Sequence, residues 1–159
     1  MKKIHLISFF LFYLLLNSCS NNLSCLDFKT GTFFIPENED LLEYTIQNKD
    51  STYSVKIERN KNISRYLVIR NEGTQTEWIN GVGNGDPIYE KIEWISDCSY
   101  RLTYDDEKME LNEEQIYMNQ NNGIVVEMTE FIGKCVKYKA TSKDGNGEVI
   151  TQKGIFCKE

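Results

Sequence analysis

Histidine is almost absent from this chain: among its 159 residues the one histidine is His5. His5 lies in an apolar N-terminal run, so the rest of the chain has no imidazole. Imidazole activates serine and cysteine nucleophiles, ligates zinc and titrates near neutral pH. Its absence excludes those mechanisms downstream of the run. We therefore expect a protein that is not an enzyme and has no metal and no cofactor.

Positive charge is also scarce. The chain has 18 lysines and arginines against 24 acidic residues, and Lys2 and Lys3 lie in the same N-terminal segment. Without those two lysines the balance is 16 against 24, a formal charge of −8. No basic stripe interrupts this acidity, and the phosphate backbone of a nucleic acid would be repelled. The sequence predicts no nucleic-acid partner.

Helical periodicity is the third thing that the sequence lacks, apart from one turn expected within residues 105–114. Short runs instead alternate apolar and polar residues, which is typical of half-buried antiparallel strands. Turn-forming residues separate these runs. The predicted strands cover residues 28–35, 53–57, 64–70, 75–80, 88–95, 98–104, 115–119, 124–131, 136–140 and 149–157.

Eight to ten short strands joined by tight turns make an antiparallel up-and-down meander, and closing it into a barrel removes the exposed edges. We therefore predict a mainly β domain that closes into a barrel. The alternative fold is a two-sheet β-sandwich.

The N-terminus resembles a bacterial lipoprotein export signal. A positive start at Lys2 and Lys3 precedes an apolar run over residues 4–16, followed by Leu16, Asn17, Ser18 and Cys19, which form a lipobox. The run is too short to span a membrane as a helix. We predict a signal peptide over residues 1–18, acylation of Cys19, a short tether over 19–24 and a single β domain over 25–159. The alternative is an ordinary secretory signal followed by an accidental cysteine.

Four further cysteines remain for an oxidising compartment, where they are expected to pair. The turn formers at residues 144–147 predict a hairpin centred on Asn146, which puts Cys135 directly opposite Cys157. Cys25 and Cys98 then pair by elimination. A metal site of four thiolates is the rival, but the chain contains no Cys-x-x-Cys spacing.

Three segments resemble small uncharacterised lipoproteins of Bacteroidota, some of which carry a DNA topoisomerase IV label that an exported, acidic chain of this length does not fit. They are CLDFKTGTF at residues 25–33, IERN at 57–60 and WISDCSY at 94–100. The resemblance implies a lipocalin-like barrel and a bond between Cys25 and Cys98, and it supplies no catalytic residues. The last third of the chain, with Cys135 and Cys157, departs from the family pattern. Because no acidic tract follows Cys19, we expect an outer-membrane lipoprotein that faces the periplasm.

Two motifs imitate ion sites. Asp144, Asn146 and Glu148 follow the opening of a calcium loop, but Val149 and Ile155 stand where that loop needs glycine and a bidentate acid, so a hairpin turn is favoured. The acidic run over residues 105–114 could bind a cation or a basic partner, although such runs are usually solvated connections.

Fifteen aromatic residues follow the lipobox, and most are expected to fill a barrel. We expect Trp78, Trp94, Tyr100 and Tyr104 to line a cavity for a small apolar ligand. The first functional hypothesis is therefore an envelope lipoprotein that holds such a ligand and attaches to the membrane through Cys19. The alternative is a protein-interaction or inhibitor lipoprotein that engages an envelope protein through its loops.

Overall fold

The computed structural model describes residues 23–35, 41–47, 52–58 and 66–159. The predicted signal peptide and Cys19 lie outside the described residues. A short 3-10 helix, η1 (Cys25–Phe28), comes first, and the one α-helix of the described ranges is α1 (Glu113–Gln120). The described strands are β1 (Gly31–Ile35), β2 (Leu41–Gln47), β3 (Thr52–Glu58), β4 (Tyr66–Asn71), β5 (Thr74–Trp78), β6 (Ile88–Ser96), β7 (Ser99–Tyr104), β8 (Ile124–Ile132), β9 (Cys135–Lys143) and β10 (Val149–Lys158).

Eight of the ten strands close a barrel. Strands β4 to β10 pair antiparallel in chain order, and β1 joins β4 to β10. The first half of β10, residues 149–153, pairs instead with β2, and β2 pairs in turn with β3. The β2–β3 hairpin therefore extends the barrel wall beside β1. The predicted closed meander is confirmed, and the two-sheet sandwich is not formed. Closure satisfies the backbone groups that an open edge would expose.

One predicted strand is wrong, and the first predicted strand, over residues 28–35, is confirmed with a later start. Residues 115–119 belong to α1, because Asn112 forms a capping box with Gln115: each side chain bonds the other residue's backbone N–H, at 2.9 and 3.0 Å. Glu113 and Glu114 occupy the first turn, where the helix dipole favours negative charge. Residues 25–28 form η1, so β1 begins only at Gly31. Strand β2 had no counterpart in the sequence prediction.

The two ends of the barrel differ. We call one the disulfide end: it carries η1, the β6–β7 turn at Asp97 and Cys98, and the β8–β9 turn at Gly133 and Lys134. The opposite end, the helix end, carries α1, the loop over residues 79–87 and the β9–β10 turn over residues 144–148. None of the helices in the described ranges is both long and apolar enough to cross a membrane.

Both predicted disulfides are present. Cys25 is bonded to Cys98 and ties η1 to the β6–β7 turn, whereas Cys135 and Cys157 face each other across β9 and β10. The hairpin register is the predicted one. At its turn, the Asp144 carboxylate accepts backbone N–H bonds from Asn146 and Glu148, both at 2.9 Å. Asp144 therefore stabilises the hairpin turn that the sequence analysis favoured over a calcium loop.

The core is densest at the disulfide end. Phe28, Phe33 and Val136 are completely buried there, and the ring of Phe28 lies 5.5 Å from those of Phe33 and Phe156. Gly154 on β10 lies under Tyr138, since a Cβ at this position would come within 2.6 Å of the tyrosine hydroxyl. The aromatic rings therefore close this end of the barrel.

The two disulfides should contribute unequally to stability. Replacing Cys25 and Cys98 together by alanine should lower the free energy of unfolding by about 4 kcal/mol, and replacing Cys135 and Cys157 by about 3 kcal/mol. The bridged residues are 73 and 22 positions apart, and the longer loop loses more entropy on closure in the unfolded chain. Urea unfolding measures both losses. A larger loss for the shorter loop would contradict this reasoning.

Candidate functional site

Polar side chains meet inside the barrel at mid-height. Strand alternation points them inward, because they share faces with the buried residues Val68 and Ile92. Register aligns four of them in one row across neighbouring strands: Arg70 is opposite Gln75, Gln75 is opposite Glu90, and Glu90 is opposite Tyr104. We call the following group the interior polar cluster: Tyr66, Arg70, Gln75, Glu77, Glu90, Tyr100 and Tyr104.

Arg70 is the cation of the cluster and is only 4% exposed. Its guanidinium donates to Gln75 Oε1 at 2.6 Å, to the backbone carbonyl of Phe28 at 3.1 Å and to the hydroxyl of Tyr100. The rings of Phe33, Tyr100 and Phe156 surround it, with centroids 4.5 to 5.3 Å from Cζ. Hydrogen bonds and aromatic faces thus replace the water that the charge loses on burial.

Gln75 joins the two carboxylates to this cation. Its side-chain nitrogen donates to Glu77 Oε1 at 2.7 Å and to Glu90 Oε2 at 2.8 Å. Glu77 also accepts a hydrogen bond from the Tyr66 hydroxyl. Within the described part of the chain, Glu90 accepts a hydrogen bond from Gln75 alone. A buried carboxylate normally binds more donors than one, so Glu90 keeps unused bonding capacity.

The carboxylates cannot both ionise easily. Burial raises the pKa of Glu90 well above its ordinary value, and the neighbouring charge of Glu77 raises it further. Burial also raises the pKa of Glu77, but the hydrogen bonds from Tyr66 and Gln75 and the charge of Arg70 oppose that rise. The rise is larger for Glu90, so Glu90 is the member of the pair that holds a proton to higher pH.

The barrel interior is more tightly packed at one end than at the other. Inward-facing side chains at the disulfide end, such as Phe33 and Val136, are fully buried. Towards the helix end, inward-facing side chains keep partial exposure even though protein surrounds them. These half-buried residues are Tyr66, Glu77, Tyr104, Ile124, Ser142, Ile150 and Gln152.

The predicted lining aromatics separate into two groups. Trp94, Tyr100 and Tyr104 face the interior, where the ring of Trp94 lies 4.9 Å from that of Tyr100. Trp78 was wrongly expected to face inward. It follows the inward-facing Glu77 on β5 and lies opposite Leu67, so it is on the outer face. Contact of the inward group with a ligand stays a prediction.

Helix α1 lies at the rim of the accessible end. The side-chain amide of Asn119 exchanges two 2.9 Å hydrogen bonds with the backbone of Tyr104, so it mimics a strand partner. The Tyr104 hydroxyl in turn reaches the sulfur of Met118 at 3.9 Å. Burial is the main cause that raises the pKa of Tyr104, and the charges of Glu90 and Glu77 add to it. The rim is thereby connected to the interior polar cluster.

The acidic run over residues 105–114 encloses a lysine. Lys91 Nζ lies 3.3 Å from carboxylate oxygens of Asp105, Asp106 and Glu107. These hydrogen bonds, above all the one to Asp105, raise the pKa of Lys91. The chain's own ammonium group therefore occupies the place of the cation that this run could have bound.

Sequence reasoning missed Arg70, Gln75, Glu77 and Glu90. One signal was present, since Glu90 is in phase with Ile92 and Trp94 on β6 and Arg70 is in phase with Val68 on β4. A charged residue at an inward position of a barrel strand indicates a buried polar group.

No family model, no curated protein and no solved structure matches this chain. The resemblance to lipoproteins of Bacteroidota therefore stays a prediction.

Removing the buried cation should be costly. Arg70→Met should lower the free energy of unfolding by about 3 to 5 kcal/mol, because Gln75 and Tyr100 would lose their buried partner and the nearby carboxylates a compensating charge. Arg101→Met is the matched control, since Arg101 pairs at 2.6 Å with a carboxylate of Glu93 that is 69% exposed. The control should lose about 1 kcal/mol or less in urea unfolding. Similar losses for the two variants would contradict the central place of Arg70.

Glu90 should make the protein less stable as pH rises. Its pKa is raised in the folded state, so between the ordinary value of 4.5 and the raised value the folded chain holds a proton that the unfolded chain has lost. The free energy of unfolding then falls with rising pH. Relative to wild type, Glu90→Gln should gain stability progressively from acidic to alkaline pH. Thermal unfolding across that range measures this gain, and a gain independent of pH would contradict the assignment.

Proposed function

We propose that this chain is a lipid-anchored lipoprotein of the cell envelope whose barrel binds a small, largely apolar molecule that carries one polar group. The lipobox at Cys19 supports a location in the cell envelope, which we assign to the periplasmic side of the outer membrane. The barrel interior supports the ligand. No imidazole or metal cluster occurs among the described residues, and the proposal involves no catalysis.

The observation that carries the proposal is the position of the interior polar cluster. It lies where the packed half of the barrel meets the half whose inward-facing side chains are only half-buried, so its carboxylates border that second half. Among the residues that the structure describes, the Glu90 carboxyl group accepts a hydrogen bond from Gln75 alone and so has bonding capacity left. Pockets for small molecules typically combine apolar walls with a few such polar groups, which fix the orientation of the ligand.

Apolar walls lie beside the cluster. Ile92, Leu102 and Val126 form a second core group with Ala140, and Ile124 packs against it from the helix end. A ligand that buries about 300 Å² of apolar surface here would gain about 7 kcal/mol before the costs of association. Its apolar body would lie against these residues, and its polar group would reach Glu90.

The alternative is a protein-interaction lipoprotein that acts through loops, and one observation favours it. Ile79, Val82 and Ile116 are large apolar side chains with exposed fractions of 37% to 58% at the helix end. A protein partner could cover them. If the barrel holds no ligand, this second function is the better supported one.

A fluorescent probe tests the ligand proposal. N-phenyl-1-naphthylamine is apolar, carries one N–H group and brightens when it leaves water. We expect saturable binding to wild type and binding at least tenfold weaker to Ile124→Trp, because the indole would fill the accessible half of the interior. Val125→Trp is the matched control and should bind like wild type, since Val125 lies opposite Arg101 and Thr141 on the outer face.

Native mass spectrometry of the protein purified from its own envelope complements the titration. A co-purifying mass that is lost in Ile124→Trp and retained in Val125→Trp is the expected result. A wild-type protein that carries no co-purifying mass and also fails to bind the probe would overturn the ligand proposal. That result would favour the protein-interaction function through the loops.

A further inference from the structure

The disulfide end exposes large apolar side chains although the interior beneath it is fully packed. Leu26 on η1, Ile95 near the end of β6, and Phe131 and Ile132 at the end of β8 are 38% to 59% exposed. They belong to three neighbouring segments. The Cys25–Cys98 bond joins η1 to the β6–β7 turn, and the Phe28 and Phe131 rings are 5.8 Å apart. Exposed apolar groups gathered in this way indicate a contact surface.

This surface is held rigidly. Cys135 and Cys157 are bonded beside the β8–β9 turn, and the Lys158 backbone N–H donates to the carbonyl of Lys134 at 2.9 Å. The Glu159 N–H donates to the carbonyl of Thr32 at 3.0 Å, so the end of the chain is fixed there too. The apolar side chains are therefore presented in a fixed arrangement and do not depend on a mobile loop.

The proposed lipid anchor lies close to the same end. Cys19 precedes Leu23 by four residues, and a fully extended chain of that length spans about 14 Å. Leu23 packs against the core group that contains Cys25 and Phe28. An acylated Cys19 would thus hold the disulfide end close to the bilayer.

The distribution of charge between the two ends also favours a membrane contact at the disulfide end. Six acidic side chains and one lysine lie in residues 105–114 at the helix end. The turns and chain segments at the disulfide end carry three lysines and four acids, since the β4–β5 turn with Glu72 lies there too: Lys29, Lys134, Lys158, Asp27, Glu72, Asp97 and Glu159. Anionic headgroups would repel the helix end and tolerate the disulfide end.

We infer that the disulfide end is seated on the membrane, with Leu26, Ile95, Phe131 and Ile132 entering the lipid interface and the helix end directed away from it. The inference rests on the proposed acylation of Cys19. Its consequence is that the accessible half of the barrel opens towards the aqueous side, so a ligand would reach the interior from water and not directly from the bilayer.

Spin labels test the orientation. The full-length lipoprotein, processed in its own host, is reconstituted in vesicles of phosphatidylethanolamine and phosphatidylglycerol, with a label on an unnatural amino acid at one position so that no extra cysteine is introduced. Labels replacing Ile95 or Ile132 should be more accessible to oxygen, which partitions into lipid, than to a water-soluble nickel complex. Labels replacing Val82 or Ile116, the exposed apolar positions of the helix end, should show the reverse.

Acylation of Cys19 is measured separately, by mass spectrometry of the intact protein. Suppose that the protein carries acyl chains on Cys19, yet its label at position 132 is as water-accessible as the label at 116. That result would refute the proposed membrane contact of the disulfide end and would leave the acylation of Cys19 intact. A protein without acyl chains overturns both. Dipolar broadening between labels at position 132 in sparsely loaded vesicles would show a second copy on this surface, which also overturns the seating.

Discussion

The guanidinium of Arg70 organises the structure on both sides of the barrel's mid-height. Towards the disulfide end it bonds the carbonyl of Phe28 and lies among the aromatic rings that close the barrel. Towards the helix end it bonds Gln75, which in turn holds Glu77 and Glu90. A buried cation requires partners from several strands, so register, end closure and the placement of the carboxylates depend on one side chain.

Local sequence patterns were sufficient to predict much of the fold. Alternation predicted most strands, and the turn at residues 144–147 fixed a register that made the Cys135–Cys157 pairing predictable. The short turn after Asn71 could likewise have placed Arg70 opposite Gln75. Glu90 joins them only across the loop over residues 79–87, whose length leaves the next register open, so the complete cluster was beyond local reasoning. Trp78 shows the same limit, because ordinary alternation predicts an inward tryptophan and an outward glutamate on β5, and the interior polar cluster reverses that order.

The difference between the two ends gives the barrel a direction. At the disulfide end, covalent bonds, packed rings and a small net charge accompany apolar side chains that remain exposed. At the helix end, α1 and an acidic rim surround inward-facing side chains that water can reach. A binding site that borders the accessible half and an anchor at the packed half are mutually compatible, because the ligand path and the membrane contact do not compete for one surface.

The central claim is that Glu90 holds its proton to a higher pH than an ordinary glutamate and meets the polar group of a ligand. Infrared difference spectroscopy of the carboxyl C=O stretch tests it most directly, with Glu90→Gln as the reference that assigns the band. The wild type should show a protonated-carboxyl band that persists to a higher pH than the band of an ordinary glutamate, that is absent from the variant and that shifts when N-phenyl-1-naphthylamine is added. A missing band, or a band that the probe leaves unchanged while it binds, would contradict the claim.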